Sequence, residues 1–155
     1  MLNLTQLGGY REDNRLEAKQ ALGGLPESIW ETYSAFANAE GGVILLGVEE
    51  LPDKSLQALD ILDPQWLLED LRSGLNDPQK VSINILKEED LQICEVDGNR
   101  IIAINVPKAE TWQRPVYIEN DLYRGTYRRS GEGDYRCSQE EVDAMLAERE
   151  ENHAL

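Results

Sequence analysis

The chain has 155 residues, 41% of them hydrophobic, and a formal net charge of −15. A chain of this length buries roughly 70% of the surface its unfolded form exposes, so one domain with a sizeable core is expected and disorder is excluded for most of it. The acid excess works against a broad phosphate-binding surface, because like charges repel and counterion release needs Lys or Arg. Cys94 and Cys137 are too few for a disulfide framework and read as reduced thiols. His153 is the single histidine and lies beside the C-terminus, so neither a Cys/His zinc site nor a histidine-based catalytic set can be assembled. No apolar run approaches the length of a membrane span, and Met1–Tyr10 lacks the basic start and apolar stretch of a secretory signal. A cytoplasmic protein with no membrane partner is expected.

Residues 1–9 are weakly patterned and read as a flexible lead-in. Arg15–Gln20 alternates as a strand does, and Gly23-Gly24 breaks it. Pro26 suits the first turn of a helix. Ile29, Tyr33 and Phe36, with Trp30 and Ala37 beside them, recur at helical spacing, and Gly41-Gly42 ends that helix. Asn38 is placed to cap its end or, alternatively, to contact a ligand. Val43–Val48 is a short, continuous apolar run and reads as a central strand buried on both faces. Asp63-Pro64 starts a second helix, an acidic cap followed by proline, with Trp66, Leu67, Leu71 and Leu75 as its inner face. Val81, Ile83 and Ile85 alternate as a strand with one exposed face. Leu91–Val96 and Arg100–Val106 flank Asp97-Gly98-Asn99, a hairpin signal because Asp-Gly tolerates positive φ. Pro107 stops the second of these strands. Pro115–Ile118 and Leu122–Arg128 form another candidate hairpin around Asn120-Asp121. Ser138 and Glu141 make a capping box for a last amphipathic helix carried by Val142, Met145 and Leu146. Residues 151–155 read as a frayed tail. This order implies an α+β fold over residues 10–150: helices packed on a mixed β-sheet, with antiparallel hairpins in the second half.

Between Arg124 and Arg136 stand four arginines and two acids. Arg124, Arg128, Arg129 and Arg136 lie among Tyr123, Tyr127 and Tyr135. Guanidinium forks match phosphate oxygens and tyrosine rings stack on unpaired bases, so this strip is the candidate nucleic-acid contact. The competing reading is a strand edge whose arginines pair with the surplus acids. Arg124 and Arg128 share a strand face while Arg129 lies opposite, so one ligand meets all three only across a kink. Ser130–Asp134 is a glycine-bearing turn. Neither G-x-x-x-x-G-K-[ST] nor G-x-G-x-x-G occurs, which excludes ATP binding by those two routes.

Ser34–Glu49, reading S-A-F-A-N-A-E-G-G-V-I-L-L-G-V-E, resembles the hallmark of the Schlafen-type AlbA_2 domain, once called divergent AAA-4. That hallmark is a helix ending in A-F-A-N, a Gly-Gly turn, a strand, then G-V and an acid. Glu12–Lys19 resembles the family's opening E-x-x-x-x-E-x-K strand, and Ile101–Pro107 its strand ending in V-P. Pro115–Ile118 and Tyr127–Arg136 resemble its P-V-Y and R-x-G segments. The resemblance implies a nucleic-acid-binding regulatory module, with DNA and RNA both open, at the front of a longer bacterial protein that carries an ATPase-like or winged-helix region downstream. Lys19, Arg124, Arg128, Arg129, Arg136 and Tyr127 would then meet the nucleic acid, and no cofactor is expected.

Some relatives are RNA endonucleases using three carboxylates, which implies an alternative. The matching positions are Glu12, Glu17 and Glu49, or Glu50 one step on. Carboxylates are hard oxygen ligands for Mg²⁺ or Mn²⁺, which can activate water and stabilise charge on a scissile phosphate. Glu12 and Glu17 differ by an odd number and would face opposite sides of a regular strand, so the site requires a turn or bulge between them, for which Asp13-Asn14 is a reasonable place. The competing reading is solvated surface acids, with Glu17 pairing Lys19 or an arginine. A third reading is a protein-interaction or homo-oligomerisation domain, which the acid excess supports.

Overall fold

The alternating segment before the first helix and the apolar run after it become neighbours. In the computed structural model, which describes residues 2–154 with side chains through Glu151, β1 (Leu16–Lys19) and β2 (Gly42–Leu46) pair in parallel. Leu16 stands opposite Val43 and Lys19 opposite Leu46. A parallel pair needs a crossover, and α1 (Ile29–Asn38) supplies it.

The apolar run Val43–Val48, expected as one strand, is divided at Gly47. Its φ of 83° is left-handed, and a Cβ there would stand 2.6 Å from Ile61 Cγ1, so glycine alone fits. Beyond this break Val48–Glu50 forms β3, which pairs antiparallel with β4 (Leu56–Ala58) outside the main sheet. Asp97 and Gly98 take φ of 51° and 79°, the positive pair that a tight hairpin needs. They join β5 (Leu91–Val96) to β6 (Asn99–Val106), and β6 pairs antiparallel with β2. The strand order is β1-β2-β6-β5. The sheet is mixed and the fold is α+β, as expected.

Alternation along β2 and β6 sends their side chains to two faces. Ile44, Leu46, Ile102 and Ile104 join Ile29, Tyr33, Phe36, Leu67 and Leu71 in the main core. Leu45 and Ile101 join Leu16, Val48 and Leu56 in a smaller cluster. Each such side chain contributes about 1.5–3 kcal/mol by burial. Leu4–Gly9, within the segment expected as a lead-in, wind into 3₁₀ turns that seat Leu7 in the smaller cluster.

The second helix, α2 (Pro64–Leu75), starts as its sequence dictates, with Asp63 Oδ1 accepting from the Trp66 N–H at 3.0 Å. Its inner face is Leu67, Leu68, Leu71 and Leu75. Trp66, expected there, is 60% exposed. Leu68 shifts the apolar stripe, and Trp66 falls roughly half a turn away from its centre. The Val81–Ile85 segment is also corrected, because it forms no strand beyond a single bridge from Val81 to Ile118. The Tyr33 hydroxyl satisfies its backbone instead, donating to the Ile83 carbonyl at 2.7 Å and accepting from the Ile85 N–H at 3.0 Å.

The hairpin expected between Pro115–Ile118 and Leu122–Arg128 shrinks to a Tyr117–Thr126 bridge. Its second arm pairs forward instead: β7 (Tyr127–Ser130) runs antiparallel to β8 (Gly133–Arg136). The shorter connection closes at a smaller entropic cost. Asn38 does not cap α1. Its amide donates to the carbonyls of Val116 and Tyr127, both at 2.9 Å, and its own carbonyl accepts from the Val116 N–H at 2.8 Å. It pins the hairpin segment to the helix. The Ser138–Glu141 capping box forms and opens α3 (Gln139–Ala154), which packs against the 3₁₀ turn Thr111–Gln113. Cys94 and Cys137 are unpaired. Among the described residues no helix is long and apolar enough to cross a membrane.

Candidate functional site

The turn that the Glu12–Glu17 spacing requires exists. The Asp13 N–H donates to the Leu16 carbonyl at 3.1 Å and the Arg15 N–H to Asp13 Oδ1 at 2.8 Å, so the chain folds back between the two acids. Glu12 Oε2 accepts from the Ala18 N–H at 2.9 Å. Glu17 and Glu50 are the acids that neighbour its carboxyl group. Partial burial, followed by the Glu17 carboxylate, pushes Glu12 up to about 8, so it holds a proton at neutral pH. Glu49 is not the third member of this corner. It stands opposite Gln57 in the β3–β4 pair, and strand alternation turns it away from Glu50.

This donor set suits acids sharing a proton. Glu17 is already engaged, its Oε1 accepting from Arg129 Nη1 at 2.9 Å. Among the described residues no group of three or more His, Cys, Asp or Glu is arranged to hold a metal ion. Glu12, Glu17 and Glu49 therefore do not converge as one ligand set for Mg²⁺ or Mn²⁺, and Glu50, the alternate third position, is the acid that neighbours Glu12.

The shared proton has a pH signature. Glu12 is raised above its ordinary value of 4.5, so folding takes up a proton between about pH 4.5 and 8, and stability declines as pH rises through that window. Glutamine keeps the acceptor for Ala18 and a donor for Glu17 while removing the titration. Glu12→Gln is therefore expected to flatten the decline and to exceed the parent in stability above pH 8, without a gain near pH 4. Thermal midpoints across that pH range measure this, and an unchanged slope would place the proton on another group.

Arg129, expected at a phosphate, is turned inward with 0% side-chain exposure. Nη1 donates to Glu17 Oε1 at 2.9 Å and to Asp134 Oδ1 at 2.7 Å. Nε and Nη2 donate to the Asp13 carbonyl at 3.1 and 2.8 Å, and Nη2 also to the Leu16 carbonyl at 3.2 Å. The guanidinium lies over the Phe36 ring, 4.9 Å from its centroid. All five N–H donors of the group are used within the protein, so none reaches a phosphate. Asp134 in turn accepts from the buried Thr32 hydroxyl at 2.6 Å. Sequence reasoning missed Asp134 and Thr32. The available signal was the register: in a hairpin closing over Ser130–Gly133, Arg129 stands opposite Asp134, and opposite charges across a strand pair attract.

The outward residues of the hairpin differ. Arg128 lies beside Tyr135, 5.6 Å from its ring centroid, and the two side chains are about half exposed. Arg128 Nε also lies 3.0 Å from Glu141 Oε2. An exposed pair of this kind is worth about 0–1 kcal/mol, so a phosphate can compete for the arginine. Arg124 and Arg136 are exposed and, among the described residues, belong to no ion pair. Tyr127 departs from expectation: it packs half-buried against the main core, its N–H donating to Ser34 Oγ at 3.0 Å. Tyr135 takes the outward aromatic place. Tyr123 donates its hydroxyl to Asp143 Oδ1 at 2.7 Å. Lys19 is half-buried on β1, with Nζ donating to Ser28 Oγ at 3.0 Å.

A family model described as Schlafen, AlbA_2 matches residues 12–138. Among solved structures, the chain is similar to the N-terminal domain of a RecG-related protein of Nitrosomonas europaea, named for an ATP-dependent DNA helicase. The two share 30% identity over 86% of this chain and 90% of that one, with a TM-score of 0.63. The fold is also similar to that of a Corynebacterium diphtheriae protein at 18% identity and a TM-score of 0.58, over 87% of this chain and 27% of that one. No curated protein matches the chain.

Proposed function

The chain belongs to the Schlafen AlbA_2 family, and from that premise we propose that it is a nucleic-acid-binding module of a longer regulatory protein. The reading rests on one observation above all: the β7–β8 hairpin carries Arg128 against Tyr135 on its outer surface, with Arg124 and Arg136 exposed on the same stretch of chain. Together these offer a fork for phosphate and a ring face for an unpaired base. The helicase-related name of the Nitrosomonas relative supports it. A role in transcriptional regulation, a downstream ATPase-like or winged-helix region and a bacterial cytoplasmic setting are parts of the same proposal.

With three arginines available on a chain of net charge −15, binding is expected to be weak and modestly salt-dependent. For single strands, log K against log salt should fall with a slope of about −2, from three phosphate contacts. Fluorescence anisotropy with labelled single-stranded and duplex DNA and RNA across a salt series measures it. Charge reversal at Arg124 and Arg136 should weaken binding to all sequences alike and flatten that slope. No measurable affinity at low salt would sink the reading.

A further inference from the structure

Leu22, Leu62 and Trp66 are 63%, 90% and 60% exposed. They line one hollow of about 410 Å³ between the Ala21–Gly24 loop and the start of α2, together with Ile61 and Leu67. Scattered surface apolar residues need no explanation, but a concave cluster centred on tryptophan has the make-up of an interface anchor. A second hollow of about 120 Å³ is lined by Leu25, Glu27, Asp70, Gly74 and Asp77 among others. The same two stretches of chain line both hollows in succession: residues 21–24 with 61–67, then 25–27 with 70–77. Among the described residues none lines both, but Trp66, Asp70 and Gly74 follow at four-residue steps along α2, which sets the hollows end to end as one groove, apolar and edged by Asp60 and Asp63 at one end and acidic at the other. Lys80 is the one cation lining the acidic end, and its ammonium lies over the Trp30 ring at 5.9 Å. Glu27 and Asp70 are exposed and, among the described residues, in no ion pair.

We propose that this groove docks a short protein segment with large apolar side chains at one end and Lys or Arg at the other. Charge selects that occupant. A polyanion would meet Glu27, Asp70 and Asp77, and a second copy of a chain with net charge −15 would add acids to acids. The groove shares no residue with the β7–β8 hairpin, so it is tested apart from nucleic-acid binding.

Panning a phage-displayed random dodecapeptide library over the full chain, then titrating the resynthesised peptides, tests it. Selected peptides should carry large apolar residues next to Lys or Arg. They should bind the Trp66→Ser variant about tenfold or more weakly, and the Glu27→Lys/Asp70→Lys variant more weakly still in proportion to their basic residues. Thermal midpoints should stay near the parent value because the replaced side chains are exposed, and Leu62→Ser serves as an independent anchor variant. The proposal is overturned if no peptide is selected, if the selected peptides lack basic residues, or if their affinity ignores both anchor variants. Self-association of the chain that disappears in Trp66→Ser also overturns it, by assigning the groove to a second copy.

Discussion

Replacing Arg129 with methionine is expected to remove about 3–5 kcal/mol of folding stability, seen as a lower urea midpoint. The loss does not measure what the ion pairs are worth. It arises because Glu17 and Asp134 keep their charges with the cation gone, and because the Asp13 carbonyl loses its two Arg129 donors, while the Leu16 carbonyl keeps only the Asp13 N–H. Neutralising both acids alongside, as Arg129→Met/Glu17→Gln/Asp134→Asn, should recover part of the loss. Lysine should not rescue the single site, since an ammonium has three donors and no planar fork. Any nucleic-acid affinity of the molecules that remain folded should be unaffected, in contrast to the Arg124 and Arg136 variants. A midpoint unchanged in Arg129→Met would remove the structural role assigned to this side chain.

Asn38→Ala is expected to destabilise by about 2–4 kcal/mol. The buried Val116 N–H is left without an acceptor, the Tyr127 carbonyl loses its Asn38 donor, and each such orphaned group costs about 1–3 kcal/mol. Val116 O keeps the Ser34 hydroxyl at 2.7 Å, which limits the damage. Asn38→Asp should retain the acceptor for Val116 but place a carboxylate against two carbonyl oxygens, so it should offer no relief. Amide exchange at Val116 reports the change directly. Unaltered protection there, with a lowered global midpoint, would locate the effect elsewhere in α1.

The parts of the fold that short-range chemistry dictates were legible. Asp97-Gly98 needed only its own positive φ, Asp63-Pro64 only the first turn of its helix, and Ser138–Glu141 only one another. The rest depended on partners distant in sequence. Gly47 divides an apolar run because Ile61 packs against it, and periodicity carries no trace of that contact. The break also resets strand parity, which is why Glu50 rather than Glu49 meets Glu12. At the candidate site the turn at Asp13-Asn14 followed from counting residues. The fate of Arg129 did not, because Glu17 lies 112 positions away and the Thr32–Asp134 bond spans 102. The family motifs located the arginine segment, but they could not say which member faces inward.

The placement of the Arg129 fork bears on how this sheet resists recruitment by other chains. Nε and Nη2 occupy the main-chain oxygens of Asp13 and Leu16, at the start of a strand whose other flank already belongs to β2. An incoming strand would find part of that border's acceptors taken. The opposite border, β5, has β6 as its single neighbour and is the natural template for edge-to-edge addition. Glu89, Asp90 and Glu95 stand at or within it, so an added strand would have to approach through carboxylates. Amyloid-type growth or strand exchange is thereby directed to one border, and negative charge guards that border.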